Sequence, residues 1–156
     1  MRIAKAIVRA KRVYLCGNGG SAANAMHITN DLVGCGVKAY CLCADIATLT
    51  AIANDYGYEH IFSKQVKTFG EKGDLLIALS GSGKSPNILK ALEAGVSKDM
   101  ETWLVTGAYH TETPPHAKHI LRWGKDMQAA EEAQIHMGHS VMRFMLHGTK
   151  SEREKL

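Results

Sequence analysis

The sequence is poor in aromatic residues and has no long apolar run. Only 6% of the 156 residues are Phe, Trp or Tyr, which argues against the basic, aromatic surfaces that bind nucleic acids. No apolar stretch approaches the roughly 18 residues that a membrane-spanning helix needs. Residues 1–12 include several basic side chains, but they lead into a predicted strand and not into the apolar core of a signal peptide. We therefore expect a cytoplasmic protein without direct nucleic-acid or membrane partners.

Cysteines are few, and their spacing fits neither a zinc site nor a redox CxxC motif. The four cysteines are Cys16, Cys35, Cys41 and Cys43. Such cysteines are typical of plain buried thiols in a reducing compartment. Cys41 and Cys43 lie two residues apart in a predicted strand, so we expect their side chains on one face of the sheet.

The overall composition is that of a globular domain. Apolar residues make up 46% and charged residues 22% of the chain. Its length is enough to bury a stable core without disulfides or structural metals. We predict a single domain over residues 1–156. The net charge of +4 suits an anionic ligand, although it is weak support by itself.

The most informative feature is a pair of loops rich in Gly and Ser, each of which follows an apolar strand and precedes a helix. The first lies within residues 13–27 and the second within residues 74–85. Backbone N–H groups, hydroxyls and the positive end of a helix can gather around an anion at such a loop. Two such loops side by side indicate that the ligand is a phosphorylated small molecule.

Strand and helix patterns alternate along the sequence. This alternation predicts an α/β fold in three layers, with a central parallel five-stranded sheet flanked by helices on both faces. Ligands of such sheets bind at the carboxyl ends of the strands, where both loops belong. The predicted strands are Val13–Cys16, Ala39–Ala44, Leu75–Leu79, Thr102–Thr106 and His119–Arg122, and the predicted helices are Ala22–Leu32, Ala47–Ala53, Phe62–Phe69, Ile88–Val96 and Asp126–Leu146.

The first loop also fits a dinucleotide-binding pattern. Residues 17–22 match G-x-G-x-x-A, and Asp45 after the next strand is a candidate ribose ligand. The following helix, however, carries Asn24, His27 and Asp31 where a dinucleotide fold normally packs against its sheet. This interpretation also leaves the second loop without a role, so we disfavour it.

The second loop resembles the end of a Walker A motif, G-x-x-x-x-G-K-[ST]. The first Gly of that motif falls on Ala78, and Pro86 follows the final Ser directly, which disfavours an ATP or GTP site. The loop hydroxyls are better explained as donors to a ligand at the start of a helix. A purely helix-capping role stays open for them. These hydroxyls belong to Ser80, Ser82 and Ser85.

Two predicted helices carry a polar group of two histidines and two carboxylates. His27 and Asp31 are four residues apart and share one helix face. Glu131 and His139 lie eight residues apart on the last helix, about 12 Å along its axis. The four residues are candidate ligands of a divalent metal and equally candidate acid–base groups. A histidine on a helix is more often structural, so spacing alone leaves that alternative open.

The order and content of these motifs resemble the SIS (sugar isomerase) domain family, and specifically its phosphoheptose isomerase group. The resemblance covers nearly all of residues 12–147 and includes the flavodoxin-like fold. It implies a cytoplasmic homotetramer with active sites between subunits, a phosphorylated sugar as substrate and zinc as cofactor. The motifs that carry the resemblance are residues 17–27, 49–58, 62–66, 73–87 and 131–139.

The resemblance also implies roles for individual residues. The implied substrate-binding residues are Asn18, Gly19, Gly20, Ser21, Asp55, Ser80, Gly81, Ser82 and Ser85. The implied metal ligands are His27, Asp31, Glu131 and His139, and the implied catalytic residues are Asp31, Glu131 and His139.

The chain departs from the family pattern at several positions. Asp31 stands where the family usually has Glu, Glu131 where it usually has Gln, and Gly81 where it usually has Thr. Cys35 replaces an Arg, and the helix before the first strand is reduced to roughly ten residues.

Two functions follow from the resemblance. The first is an aldose–ketose isomerase that interconverts sedoheptulose 7-phosphate and D-glycero-D-manno-heptose 7-phosphate through an ene-diol. The alternative is a non-catalytic SIS module that binds a phosphosugar or a protein partner such as the replication initiator. The retained His27 and His139 favour the enzyme, whereas Asp31, Cys35 and Glu131 favour a changed role.

Overall fold

A parallel five-stranded sheet forms the middle layer of the molecule. The computed structural model describes residues 1–109 and 112–148. The strands are β1 (Val13–Gly17), β2 (Ala39–Cys41), β3 (Leu75–Leu79), β4 (Glu101–Thr106) and β5 (His119–Arg122), and they pair in the order β2-β1-β3-β4-β5. All four strand pairings are parallel. This order confirms the predicted flavodoxin-like sheet.

Helices cover both faces of the sheet, as predicted. The helices are α1 (Arg2–Arg9), α2 (Gly20–Gly34), α3 (Ile46–Tyr56), α4 (Ser63–Phe69), α5 (Pro86–Ser97) and α6 (Met127–His147), and a 3-10 turn spans Tyr58–His60. None of the described helices is long and apolar enough to cross a membrane.

The two apolar cores result from the period-two alternation of the strands. Leu15 and Ile77 point into a cluster with α1, α2 and α6, whereas Leu76 and Ala78 point into a second cluster with α4 and α5. Because strands β1 and β3 are covered on both faces, all their residues are buried.

The second strand ends earlier than predicted. Ala44 donates its backbone N–H to the carbonyl of Cys41 at 3.3 Å, so the chain turns directly after Cys41 and does not continue the strand to Ala44. Consequently, Cys41 and Cys43 do not share a strand face. The expectation of buried thiols holds for Cys16 but was wrong for the other three cysteines, which are half-buried.

Both Gly/Ser loops lie where the strand order reverses direction. From β1 the chain crosses to β2 on one side, and β3 lies on the other side of β1. Loops that follow β1 and β3 therefore flank the crevice in which ligands of such sheets bind. The fold thus brings the two predicted anion-binding loops side by side.

Candidate active site

The first loop makes a tight turn from β1 into α2. Gly19 has a φ of 55°, a left-handed conformation that glycine adopts without strain. Ser21 is buried, and its N–H bonds the carbonyl of Asn18 at 3.0 Å. A Cβ on Gly17 would lie 2.6 Å from the Ser21 backbone, so strand and helix approach too closely for any larger residue.

The second loop turns from β3 into α5 and is held by its own hydroxyls. Ser80 Oγ accepts the Gly83 N–H at 3.1 Å, and Ser82 Oγ accepts the Lys84 N–H at 3.2 Å. Each hydroxyl still has its O–H available for donation. Ser85 is the N-cap residue of α5, yet its side chain makes no capping hydrogen bond. A purely capping role therefore does not describe these serines.

A reciprocal pair of amides joins the two loops. Asn18 Nδ2 donates to Asn87 Oδ1 at 2.9 Å, and Asn87 Nδ2 donates to Asn18 Oδ1 at 2.7 Å. Tyr58 also donates its hydroxyl to Asn18 Oδ1 at 3.0 Å. A cleft of about 650 Å³ opens beside this pair. It is lined by Asn18, Tyr58, Glu59, Ser85, Pro86, Asn87 and Lys90.

Helix α6 passes across both loops. The Met127 sulfur occupies the space that a Cβ on Gly81 would need. The Glu131 carboxylate likewise occupies the space that a Cβ on Gly20 would need. A threonine at position 81, as is usual in the family, would therefore displace Met127. The Glu131 carboxylate also lies at the positive end of α2, where a negative charge is stabilised.

Three of the four predicted metal ligands converge between α2 and α6. His27 Nε2 lies 3.0 Å from His139 Nε2. The Asp31 Oδ2 atom lies 3.5 Å from His27 Nε2 and 3.8 Å from His139 Nε2. Close packing of Gly138 against Ile28, where a Cβ would lie 2.5 Å from the Ile28 side chain, brings the two histidine-bearing helix faces together.

The geometry of this group fits a divalent metal. Asp31 Oδ2 is buried and has no hydrogen-bond partner among the described residues. The three ligand atoms lie within 4.8 Å of one another. Zinc–nitrogen bonds of about 2.0–2.1 Å in a tetrahedral site place two ligating nitrogens about 3.3 Å apart, close to the separation of the two histidines. With three protein ligands, a four-coordinate zinc would keep its fourth coordination position open for water or substrate, as in catalytic zinc sites.

Glu131 does not join this group, contrary to the four-ligand prediction. It lies two helical turns before His139 on the unbroken helix α6, about 12 Å along the axis, and its carboxylate contacts Gly20 instead. Asp55 lies exposed near the end of α3, where it accepts a hydrogen bond from Asn54 at 2.9 Å.

Two further polar residues organise the site: Asn87, which the sequence did not identify, and Gln134, for which the sequence allowed the pocket and the surface equally. Asn87 holds the two loops together. The sequence signal that could have identified it is its position directly after Ser85-Pro86 at the start of a helix. Gln134 is buried, accepts from Asn24 Nδ2 at 3.0 Å, and leaves its own Nε2 without a partner in the described part of the chain. It lies on α6 between Glu131 and His139, so it presents an unused donor between the loops and the histidine group.

Comparisons with known proteins identify the family of this chain. The SIS domain family matches residues 1–107. The phosphoheptose isomerase of Alteromonas mediterranea is 42% identical over 111 residues, which are 67% of this chain and 56% of the relative. The enzyme of the same name from Burkholderia pseudomallei is 40% identical over 148 residues, which are 91% of this chain and 73% of the relative.

A solved structure shows the same fold. The phosphoheptose isomerase of Neisseria gonorrhoeae superimposes with a TM-score of 0.78 at 31% identity, over 92% of this chain and 80% of that one. The chain spans little more than half the length of the first sequence relative, at 56%. On these matches, the chain belongs to the SIS domain family, within its phosphoheptose isomerase group.

Proposed function

We propose that this chain is an aldose–ketose isomerase that converts sedoheptulose 7-phosphate to D-glycero-D-manno-heptose 7-phosphate. The observation that carries the proposal is the convergence of His27, Asp31 and His139 on one point between α2 and α6. A module that only binds sugar phosphates has no need for such a group. The names of the sequence relatives support the same reaction.

The phosphate binds at the second loop in this proposal. Ser80, Ser82 and Ser85 offer hydroxyl donors there, and the N-terminus of α5 adds the positive end of its dipole. The first loop, from Asn18 to Ser21, approaches the sugar from the neighbouring strand. The phosphate lies away from the carbons that react. Its binding energy can therefore be used to orient those carbons for the reaction.

The chemical step is a proton transfer between neighbouring carbons. A base removes the proton beside the carbonyl, an ene-diol forms, and an acid returns a proton to the adjacent carbon. The Asp31 carboxylate is one candidate base, and His139 Nε2 can return the proton only in the metal-free group, because a metal bound to that nitrogen would occupy its lone pair. Glu131, which lies nearer to the two loops, is the second carboxylate that can accept a proton from the substrate.

Zinc is the proposed cofactor, with His27, Asp31 and His139 as its ligands. When bound, it would polarise the substrate carbonyl and stabilise negative charge on the ene-diolate oxygens. The shorter side chain of Asp31, compared with the usual Glu, draws the carboxylate back by about one methylene, and its buried Oδ2 still faces both histidines.

We also propose that the chain is a single SIS domain that works in the cytoplasm as a homotetramer with active sites between subunits. Helix α3 supports the assembly, because it contains no fully buried residue although its sequence is largely apolar. Ile46, at its start, is 73% exposed. Light scattering coupled to size-exclusion chromatography tests this directly: a monomer at micromolar concentration contradicts it.

The activity is tested by incubating the purified chain with sedoheptulose 7-phosphate, with and without zinc, and following the aldose by NMR. Appearance of the heptose 7-phosphate that is lost in His139→Ala supports the proposal. Binding of the sugar phosphate without turnover under either condition contradicts the isomerase and supports the non-catalytic alternative. The His136→Ala variant, with an exposed histidine on the same helix, is the matched control and should retain turnover.

A further inference from the structure

The second loop carries one charged side chain to which the proposed function gives no role. Residues 80–87 consist of three serines, two glycines, one proline, one asparagine and Lys84. Lys84 belongs to the G-K-S end of the Walker-like pattern, in which the lysine reaches the phosphates of a nucleotide. The sequence disfavours a nucleotide here, but a lysine at this position still supplies a positive charge beside any phosphate that the loop binds.

The backbone of Lys84 is held by the loop, whereas its side chain is exposed. Ser82 Oγ accepts the Lys84 N–H at 3.2 Å, and Gly83 between them has a φ of 66°, which glycine adopts without strain. The Lys84 side chain is 52% exposed. Because a lysine side chain is a flexible four-carbon stem, its ammonium group can change partners while the loop keeps its shape.

The partner of this ammonium group in the structure is Glu112. Lys84 Nζ lies 3.1 Å from Glu112 Oε2, and the Glu112 side chain is 76% exposed. Ion pairs between exposed side chains are weak, because water screens the charges and both side chains lose conformational freedom. A ligand with a larger negative charge can therefore displace the Glu112 carboxylate from Lys84.

Backbone and side-chain contacts hold Glu112 next to the second loop. Its backbone carbonyl accepts a hydrogen bond from Arg122 Nη2 at 2.9 Å, and Thr113 Oγ1 accepts one from the same nitrogen at 3.2 Å. Arg122 lies opposite Thr106 in the pairing of β4 with β5. Thr106 in turn donates its hydroxyl to the Gly81 carbonyl at 3.2 Å. The segment that carries Glu112 is therefore attached to the same edge of the sheet as the loop.

A small cavity lies between the second loop and this segment. It has a volume of about 190 Å³, and its lining includes Ser82, Gly83 and Lys84 from the loop and Glu112 and Thr113 from the segment. Clefts that hold a whole small molecule usually have volumes of about 300–1,000 Å³, so this cavity suits one group of a ligand, such as a phosphate. Ser82 and Lys84 border the same space, in which a hydroxyl and an ammonium group can both donate to one phosphate.

We propose that Lys84 is a further substrate-binding residue, whose ammonium group leaves Glu112 and binds the phosphate of the sugar phosphate together with Ser82. This inference rests on the proposed function, because it requires a phosphate at the second loop. A phosphomonoester carries a charge of about −1.5 to −2 at pH 7 and three acceptor oxygens, whereas Glu112 offers a single negative charge. Glu112 acts as a competing anion, so ligands with one negative charge gain less from Lys84 than a phosphate does.

The experiment titrates the purified chain and its variants with sedoheptulose 7-phosphate by calorimetry at pH 7. Lys84→Met should weaken binding by at least about 10-fold, the equivalent of one hydrogen bond to a charged group. Glu112→Gln removes the competing charge and should strengthen binding by about two- to five-fold, the equivalent of a weak exposed ion pair. Lys11→Met is the matched control, because the exposed Lys11 bonds the Gly73 carbonyl at the opposite edge of the sheet, and it should retain the affinity of wild type.

Two further variants test the exchange of partners and the role of the charge. In the double variant Lys84→Met/Glu112→Gln, loss of Glu112 should have no further effect, because the cation for which it competes is gone. A gain in affinity from Glu112→Gln that persists without Lys84 contradicts the exchange. Lys84→Arg keeps the positive charge and should bind within about three-fold of wild type. A loss in Lys84→Arg as large as in Lys84→Met shows a disturbed loop and overturns the inference.

The same titrations distinguish failure of this inference from failure of the proposed function. Equal affinities of Lys84→Met and wild type overturn the role of Lys84 and leave the isomerase standing. Weaker binding by Lys84→Met, together with a wild type that binds the sugar phosphate without converting it, supports the role of Lys84 and contradicts the isomerase. A wild type that binds no sugar phosphate overturns both.

Discussion

The side-chain amides of Asn18 and Asn87 donate to each other across the mouth of the sheet, at 2.9 and 2.7 Å. This pair fixes the position of the first loop relative to the second, because each residue belongs to one of them. Asn87 is buried, so the loss of either amide leaves the other with an unmet polar group.

Asn87→Ala should lower the free energy of unfolding by about 1–3 kcal/mol, the usual cost of leaving a buried polar group unpaired. Urea denaturation followed by circular dichroism measures this change. Asn54→Ala is the matched control, since its exposed amide donates to the adjacent carboxylate of Asp55, and it should change stability by less than about 0.5 kcal/mol. Equal effects of the two substitutions would show that the hydrogen-bonded pair of Asn18 and Asn87 does not stabilise the fold.

Gly20→Ala should displace Glu131, because its carboxylate fills the space of the new methyl group. Stability should change by less than about 1 kcal/mol, since alanine favours the helix while the flexible Glu131 side chain moves aside. Turnover of sedoheptulose 7-phosphate should fall by about 100-fold, the usual consequence of a misplaced catalytic group. Gly34→Ala, on the same helix with open space around it, is the control. Unchanged turnover in Gly20→Ala would remove Glu131 from the catalytic residues.

His139→Ala and Asp31→Ala should each weaken zinc binding by at least about 10-fold, because loss of even an outer-shell partner of a metal ligand costs about 10–100-fold. Competition with a chromogenic chelator measures the affinity without any need for turnover. Glu131→Gln should leave the affinity unchanged, since Glu131 lies on Gly20 and not at the histidine group. If Glu131→Gln weakened zinc binding as much as His139→Ala does, Glu131 would have to be counted as a fourth zinc ligand.

Gly138→Ala should separate α2 from α6, because its methyl group would meet Ile28 at 2.5 Å. Overpacking of this kind costs about 1–3 kcal/mol, measurable by urea denaturation. The same substitution should weaken zinc binding, since the contact lies directly beside His27 and His139. A destabilised variant with the zinc affinity of wild type would show that the histidines are positioned by other contacts.

Alkylation of Cys41 by iodoacetamide should accelerate as the pH rises through about 7, the pKa of this thiol, and level off above it. Below that pH the sulfur is protonated and unreactive, and above it the thiolate dominates. Cys43→Ala removes the donor that stabilises the thiolate, so the inflection should move to higher pH. Mass spectrometry of the tryptic peptide 39–64 follows the reaction, and an inflection that stays in place contradicts the role of Cys43.

The sequence by itself determined the order of the layers and the places of the two loops. Continuous apolar runs in strands such as Leu75–Leu79 predict burial on both faces, and Gly and Ser directly after a strand leave a turn into a helix as the favoured local structure. The spacing of His27 and Asp31 placed both on one helix face for the same local reason. Strand β2 was predicted too long because a turn of only four residues, from Cys41 to Ala44, carries no glycine or proline to mark it.

Only the tertiary structure decided which distant residues meet. His139 reaches His27 because α2 and α6 approach closely at Gly138 and Ile28, a contact between residues more than a hundred positions apart. The rise of α6 kept Glu131 away from that group and set it on the first loop instead. Local propensity fixes elements because each depends on its own neighbours in sequence, whereas a site between helices depends on how closely their surfaces pack.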